Sequence, residues 1–361
     1  MSVEAVLTEL RAGRYALGPA DAASWLGMTA ADRASLAAAF GLSLTLLKRQ
    51  GGAEGAAWRR GLIGLAHGPA AGVGAGLGAA LAGLEEAPFR RLTAAAARLS
   101  LLTAFERQPG RPAWTLHPLL AEWLRGEDAG DADAGNGSGP FERMSQWFLD
   151  RLPESGDAAQ GERWGDVHEE TAGLAHWLER LPPDRRLEAA RASSQFAIDT
   201  GPFLIWRAFL ETMLGDALPD AVRSDVLWTV GNVAHRGGDP ERALAAAEEQ
   251  RALDRTRGAE GDAAMAAGLI ADIASARGDL DEALRIRTEE ELPVYERLGD
   301  VRELLVCRWW LATIHLKRNA GGDREEAARL LRLALAEARR LRIPEAGKIE
   351  AFMRASGIEP G

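Results

Sequence analysis

The chain has 361 residues, 47% of them hydrophobic, and a formal net charge of −10, enough apolar material to bury sizeable cores in two or three domains. A single cysteine, Cys307, excludes an internal disulfide framework, and the absence of a basic start followed by an apolar run predicts a cytoplasmic protein without a secretory signal. The acidic balance argues against broad nucleic-acid binding, where phosphate neutralisation dominates affinity, and a composition rich in Gly, Ala, Leu, Glu and Arg with few alternating stretches predicts an all-α fold with at most a small sheet.

Residues 2–12 begin with a Ser cap and an early Glu and carry Val3, Val6, Leu7 and Leu10 at helical spacing, a short amphipathic helix. Thr29 to Leu47 predicts a second helix with a break and restart at Phe40-Gly41-Leu42-Ser43. Gly61 to Leu84 is free of charge and long enough for a membrane span. About two-thirds of it is Gly and Ala, and Pro69 and His67 interrupt it, so the expectation is a buried segment of a soluble domain. Within it Gly74-x-Gly76-x-x-Ala79 matches a dinucleotide fingerprint loosely. No apolar β-branched strand precedes that run, and no phosphate-loop Gly-Lys-Ser/Thr occurs in the chain.

Phe89 to Thr103 has helical spacing, Leu101 to Phe105 and Ala113 to Leu116 read as short strands around the turn Gln108-Pro-Gly-Arg-Pro112, and His117-Pro118 opens another helix. Helix, hairpin, helix is a winged-helix order. Gly126 to Pro140 is Gly- and Asp-rich and reads as a flexible linker between domains, where mild proteolysis should cut first. Phe141 to Leu152 resumes helical spacing with Met144, Trp147 and Phe148, and a polar break at 153–161 follows.

From Ser224 to Arg340 a pattern recurs about every forty residues: Val230-Gly231, Gly238-Asp239, Ala243; then Ile270-Ala271, Gly278-Asp279, Ala283; then Leu311-Ala312, Gly322-Asp323, Ala327, with Asn319 to Gly321 as extra turn residues. Each unit is an amphipathic helix pair that buries its apolar face only against neighbouring pairs. Small residues recur at the crossings because helix axes approach to ~8–10 Å only without bulk at the contact.

These residues resemble the tetratricopeptide repeat, with longer second helices and Ala at most of its aromatic positions. In that family the first helix of each pair lines a concave groove, which implies inward positions at Trp228, Asn232, His235 and Arg236 in the first copy, Asp272 in the second, and Trp309, Thr313 and Lys317 in the third. Two large aromatics with charges of both signs have the composition of interface anchors, although a Trp at helical spacing is also ordinary core. Only Asn232 matches the carboxylate-clamp subtype, so the expected ligand is a peptide or protein held by aromatic anchors.

Leu99-Ser-Leu-Leu, then Trp114-Thr-Leu-His117-Pro118-Leu119-Leu-Ala-Glu-Trp123, resembles the winged-helix end of NB-ARC (STAND) signal-transduction ATPases, and Glu169 to Leu178 resembles the helix that joins it to the repeats. That resemblance implies a nucleotide-sensing role for His117, which in the family touches the β-phosphate of ADP; a helix-start His packed under the wing is the other reading. With only about eighty residues before the winged helix, the chain reads as the regulatory or sensor half of such a switch, without the ATPase core.

The expected organisation is therefore a helical and winged-helix-like domain over 1–125, a linker over 126–140, connecting helices or degenerate repeats over 141–223, and tetratricopeptide-like repeats with a C-terminal cap over 224–361. No catalytic constellation or metal set emerges. His168 lacks the second His of a zinc-protease helix, His176 lies too far from it for ligation on adjacent turns, Glu289-Glu290-Glu291 reads as a solvated face, and Cys307 reads as a core thiol. The functional expectation is a non-enzymatic, cofactor-free interaction and sensor module of the kind used in bacterial signalling or defence. It would bind a peptide or protein, with a separate ATPase or effector chain as partner. The alternative is a winged-helix DNA-binding regulator with a repeat sensing domain, weakened by the sparse basic charge of Thr93 to Arg98.

Overall fold

The computed structural model describes residues 30–128 and 139–360. The helix expected over 2–12 and most of the linker expected over 126–140 lie outside them. The described residues are predominantly helical with one small sheet, and the chain divides into two compact units between Phe196 and Ala197.

The first unit opens with α1 (Ala30–Gln50), which runs unbroken through Phe40-Gly41 where the sequence predicts a break. Leu36, Phe40, Leu44 and Leu47 are buried along one stripe, with Phe40 tilted against Trp123 at 5.8 Å. Burial of that stripe outweighs the ~1 kcal/mol a helical glycine costs. The charge-free stretch becomes α2 (Gly55–Leu65), the two-residue strand β1 (Val73–Gly74) and α3 (Ala75–Ala82). No helix among the described residues is long and apolar enough to cross a membrane. The Gly and Ala content of this stretch has a packing cause: a Cβ on Gly64 would lie 2.1 Å from the carbonyl oxygen of Leu81. Gly64→Ala should therefore destabilise the first unit by about 1–3 kcal/mol, as overpacking does. Gly41→Ala, with open space around it, should stabilise it by about 0.5–1 kcal/mol. Urea unfolding of both variants checks the pair of signs.

After α4 (Glu86–Arg98) come β2 (Leu102–Gln108) and β3 (Arg111–Leu116), a hairpin longer than its sequence suggests, turning at Pro109-Gly110 with Gly110 at φ 77°. The sheet order is β1-β3-β2, all antiparallel. Pro112 sits inside β3 because β1 pairs only with Ala113 and Trp114, so the missing N–H faces no strand. Phe89 of α4 meets Trp114 edge to face at 5.4 Å.

Helix α5 (Pro118–Asp128) extends three residues into the stretch expected as linker. Beyond the gap, α6 (Pro140–Leu149), α7 (Gln160–Glu169), α8 (Thr171–Arg180) and α9 (Pro183–Thr200) follow. Helices α6 and α8 pack back on the first unit. Arg143 donates to the carbonyls of Ala80 at 2.9 Å and Leu81 at 2.7 Å, capping α3. Trp177 stacks on Phe148 at 5.0 Å and donates to Ser145 at 2.9 Å. Buried Glu170 accepts from the Gly74 N–H at 2.6 Å and pairs with Arg107 of the hairpin at 2.8 Å. The compact division thus falls some sixty residues after the Gly/Asp tract, because α6 packs on α3 and α8 packs in turn on α6.

The second unit contains α10 (Phe203–Leu214) and then antiparallel pairs. These are α11 (Asp220–Arg236) with α12 (Pro240–Thr256), and α13 (Glu260–Arg277) with a composite helix of α14 (Leu280–Ile286), a π turn (Arg287–Glu291) and α15 (Leu292–Leu298). Then come α16 (Val301–Arg318) with α17 (Asp323–Leu341), and a closing α18 (Glu345–Ala355). The turns sit where the sequence places them. Asp239 caps α12 by accepting from the Arg242 N–H at 3.1 Å, and Gly278 and Asn319 take left-handed conformations after α13 and α16. Ala243, Ala283 and Ala327 are fully buried at the helix crossings. A continuous apolar core runs through the pairs from Ala234 to Ile358.

Candidate functional site

A groove of about 740 Å³ is lined by side chains from α11, α13, the π turn, α15 and α16. Trp228, Asn232, His235, Arg236, Asp272, Thr313 and Lys317 all line it, so the positions expected on the first helices converge on one concavity. Trp309 does not. It is half-buried against the core, its ring 5.8 Å from Phe352 of α18. Its neighbour Trp310 faces the groove instead, 45% exposed. The register explains the exchange: Val306, Trp310, Thr313 and Lys317 repeat at helical spacing on the groove face, while Leu305, Trp309, Ala312 and Leu316 form the stripe that packs on the core.

Several lining side chains have local partners. The Asn232 amide donates to Trp228 O at 2.9 Å and the Thr313 hydroxyl to Trp309 O at 3.0 Å, each within its own helix. Lys317 donates to the backbone carbonyl of Ser275 and lies 3.5 Å from its hydroxyl, which puts the last turns of α13 and α16 side by side. Arg236 lies 3.7 Å from Asp199.

The floor contains a charged cluster the sequence reading did not include. Arg287, only 2% exposed, donates to Asp272 at 2.5 Å and to Glu291 at 2.6 Å, and its guanidinium lies 5.7 Å from the centre of the Trp310 ring. Burial works against its charge, but the carboxylates of Asp272 and Glu291 outweigh that and hold its pKa above the usual arginine value. Burial pushes the Glu291 carboxyl up, with Arg287 opposing. Glu291 is 5% exposed, which corrects the reading of Glu289-Glu290-Glu291 as a solvated face.

The π turn that builds this floor has a sequence cause. Pro293 has no N–H for the carbonyl of Glu289, and its ring crowds that carbonyl. One turn widens, and the Leu292 N–H bonds Arg287 O five residues back. Gly268 leaves the room: a Cβ there would lie 2.8 Å from Glu291 Oε1. Pro293, thirteen residues after Leu280 in a helical run, was the available signal.

Cys307 is fully buried, 3.9 Å from Arg287 O, and burial with the neighbouring Glu291 pushes its thiol far above neutrality. Among the described residues no group of three or more His, Cys, Asp or Glu is placed to hold a metal ion.

In the first unit, His117 accepts the Leu119 N–H at Nδ1, 3.2 Å, and so caps α5; burial lowers its pKa and keeps the ring neutral. Its Nε2 is buried without a hydrogen-bond partner among the described residues. Nearby side chains close a helix end. Arg125 donates to Ala66 O at 2.6 Å, where positive charge is favoured at the C-terminus of α2, and His176 Nε2 lies 2.8 Å from His67 O, its pKa lowered by burial. No protein-family model matches the chain, and no curated protein matches it.

Proposed function

We propose that the second unit is a tetratricopeptide-like array whose groove binds a peptide or protein segment, and that the chain is a non-enzymatic sensor module. The observation that carries this reading is the convergence of Trp228, Asn232, His235, Arg236, Asp272, Thr313 and Lys317, from three different helices, on one groove beside the exposed Trp310. A concave surface with an exposed aromatic anchor amid polar groups is how stacked helical pairs hold extended partners.

The first unit fits a winged helix. Its order is α2, β1, α3, α4, β2, β3, with the short first strand beside the last. This supports the resemblance to the regulatory half of an NB-ARC ATPase, in which ligand occupancy of the repeats is relayed to the winged helix and on to an ATPase or effector. DNA binding is the weaker reading. On α4, Arg91 is bidentate to Glu54 at 2.6 and 3.2 Å, and on the hairpin Arg107 pairs with Glu170 and Arg111 with Glu169. Side chains already matched to carboxylates are poor phosphate ligands.

An array of immobilised decapeptides probed with the whole chain tests the reading. Captured spots should be lost with Trp310→Ala and Thr313→Arg, both groove substitutions. Capture untouched by either, or no capture at all, overturns it. Titration calorimetry with ADP should show no tight binding, since no phosphate loop is present to cradle it; micromolar affinity would contradict the sensor-half reading.

A further inference from the structure

The groove's charges are of two kinds. Those on the floor are closed: Arg287 lies between Asp272 and Glu291, both within 2.6 Å. A cationic ligand side chain could engage these carboxylates only by competing with a buried guanidinium. Those on the rim are held more loosely. Elsewhere in this unit arginines sit directly on carboxylates, Arg223 on Glu249 at 2.5 Å, Arg242 on Glu211 at 2.7 Å and Arg318 on Asp323 at 2.6 Å. Lys317 instead bonds only the backbone and hydroxyl of Ser275, Arg236 has a single carboxylate at 3.7 Å, and His235 has no ion-pair partner among the described residues. The acid left for a ligand is Glu303, and burial beside Asp300 pushes its carboxyl toward the neutral form.

Resting on the groove reading above, we propose that the groove selects an acidic segment of a partner protein, with an Asp or Glu carboxylate at the Arg236–Lys317 rim and an apolar side chain on the exposed ring of Trp310. The chain as a whole is acidic, with a net charge of −10, so a polyanion is repelled while a single carboxylate meets the locally positive rim. The rim cations occupy the last turns of α11 and α16. The carbonyl ends of those helices offset part of their charge. With one Arg and one Lys on the rim, the site fits a carboxylate better than a phosphate, which Arg clusters recognise.

Fluorescence anisotropy with the whole chain and four labelled decapeptides tests this: one with two Asp flanking a Leu pair, and its Asn, Lys and phosphoserine counterparts. The Asp peptide should bind ~10-fold or more tighter than the Lys peptide, the gap narrowing at high salt. Arg236→Glu with Lys317→Glu should invert that preference while leaving the thermal melt in place. If that variant fails to fold, Arg236→Gln with Lys317→Gln should bring the Asp and Lys peptides to parity. Equal binding of Asp and Lys peptides to the wild type, or a preference unmoved by the rim variants, overturns the acidic-segment assignment and leaves the groove reading standing. Much tighter binding of the phosphoserine peptide overturns it in favour of phosphate. Failure of all four peptides, with no captured spot on the array, defeats the groove reading itself.

Discussion

Arg287→Ala should lower the unfolding free energy by about 3–5 kcal/mol, because it strands a buried carboxylate. Glu291 is 5% exposed and accepts from Arg287 at 2.6 Å; without the guanidinium its charge has no counterion in the groove floor. The Asp272 carboxylate, half-buried, can turn toward water. Urea denaturation of the wild type and the variant measures the loss. A double variant, Arg287→Met with Glu291→Leu, should recover most of it, since removing both charges removes the desolvation penalty as well. The pH dependence has a definite sign. In Arg287→Ala the folded Glu291 pKa rises further above the unfolded value of about 4.3. The variant's deficit is therefore smallest below that unfolded value and grows as pH rises through the folded pKa. A deficit that is flat from acid to neutral pH, or a double variant no more stable than the single, would show that the cluster is not what holds the π turn.

How much of this was legible in the residues depended on whether the signal was local. The turns at Gly238-Asp239 and Gly278-Asp279 and the buried Ala243, Ala283 and Ala327 follow from short-range rules about caps and close helix crossings. Gly41 misled because a local rule lost to a long one: the stripe of Leu36, Phe40, Leu44 and Leu47 is anchored elsewhere in the fold, partly on Trp123. The compact division, between Phe196 and Ala197, likewise rests on long-range packing. Composition marks where a chain can be solvated, but only the partners of Arg143 and Glu170 show that the helices after the Gly/Asp tract pack on the elements before it. On the first helices most of the inward positions follow from periodicity, with Trp309 placed one residue off the groove face. The groove floor was not legible, because Arg287 and Glu291 reach it from a second helix widened at Pro293, which rotates side chains off the regular wheel.

Trp309 and Trp310, adjacent in sequence, should separate stability from binding. Trp309 packs on Phe352 and the core that closes the last helix pair, and it is only half-buried. Its replacement by alanine should therefore cost about 2 kcal/mol, less than the ~3–5 kcal/mol of a fully buried aromatic. Trp310 is 45% exposed, and its one aromatic interaction is with the Arg287 guanidinium at 5.7 Å. Losing that contact should cost about 1 kcal/mol or less, in the range of cation–π pairs. For ligand capture the order reverses. Trp310→Ala removes the exposed anchor beside Thr313 and Lys317 and should weaken peptide binding by roughly 2 kcal/mol, about 30-fold, as loss of a hot spot does. Trp309→Ala, measured below its melting temperature, should bind within a few-fold of wild type. Thermal melts and anisotropy titrations on the two single variants give four numbers, and the assignment requires the two effects to cross. If Trp309→Ala abolishes capture while remaining folded, the groove face of α16 lies one residue away from where this structure puts it. The inward set must then be rebuilt around Trp309.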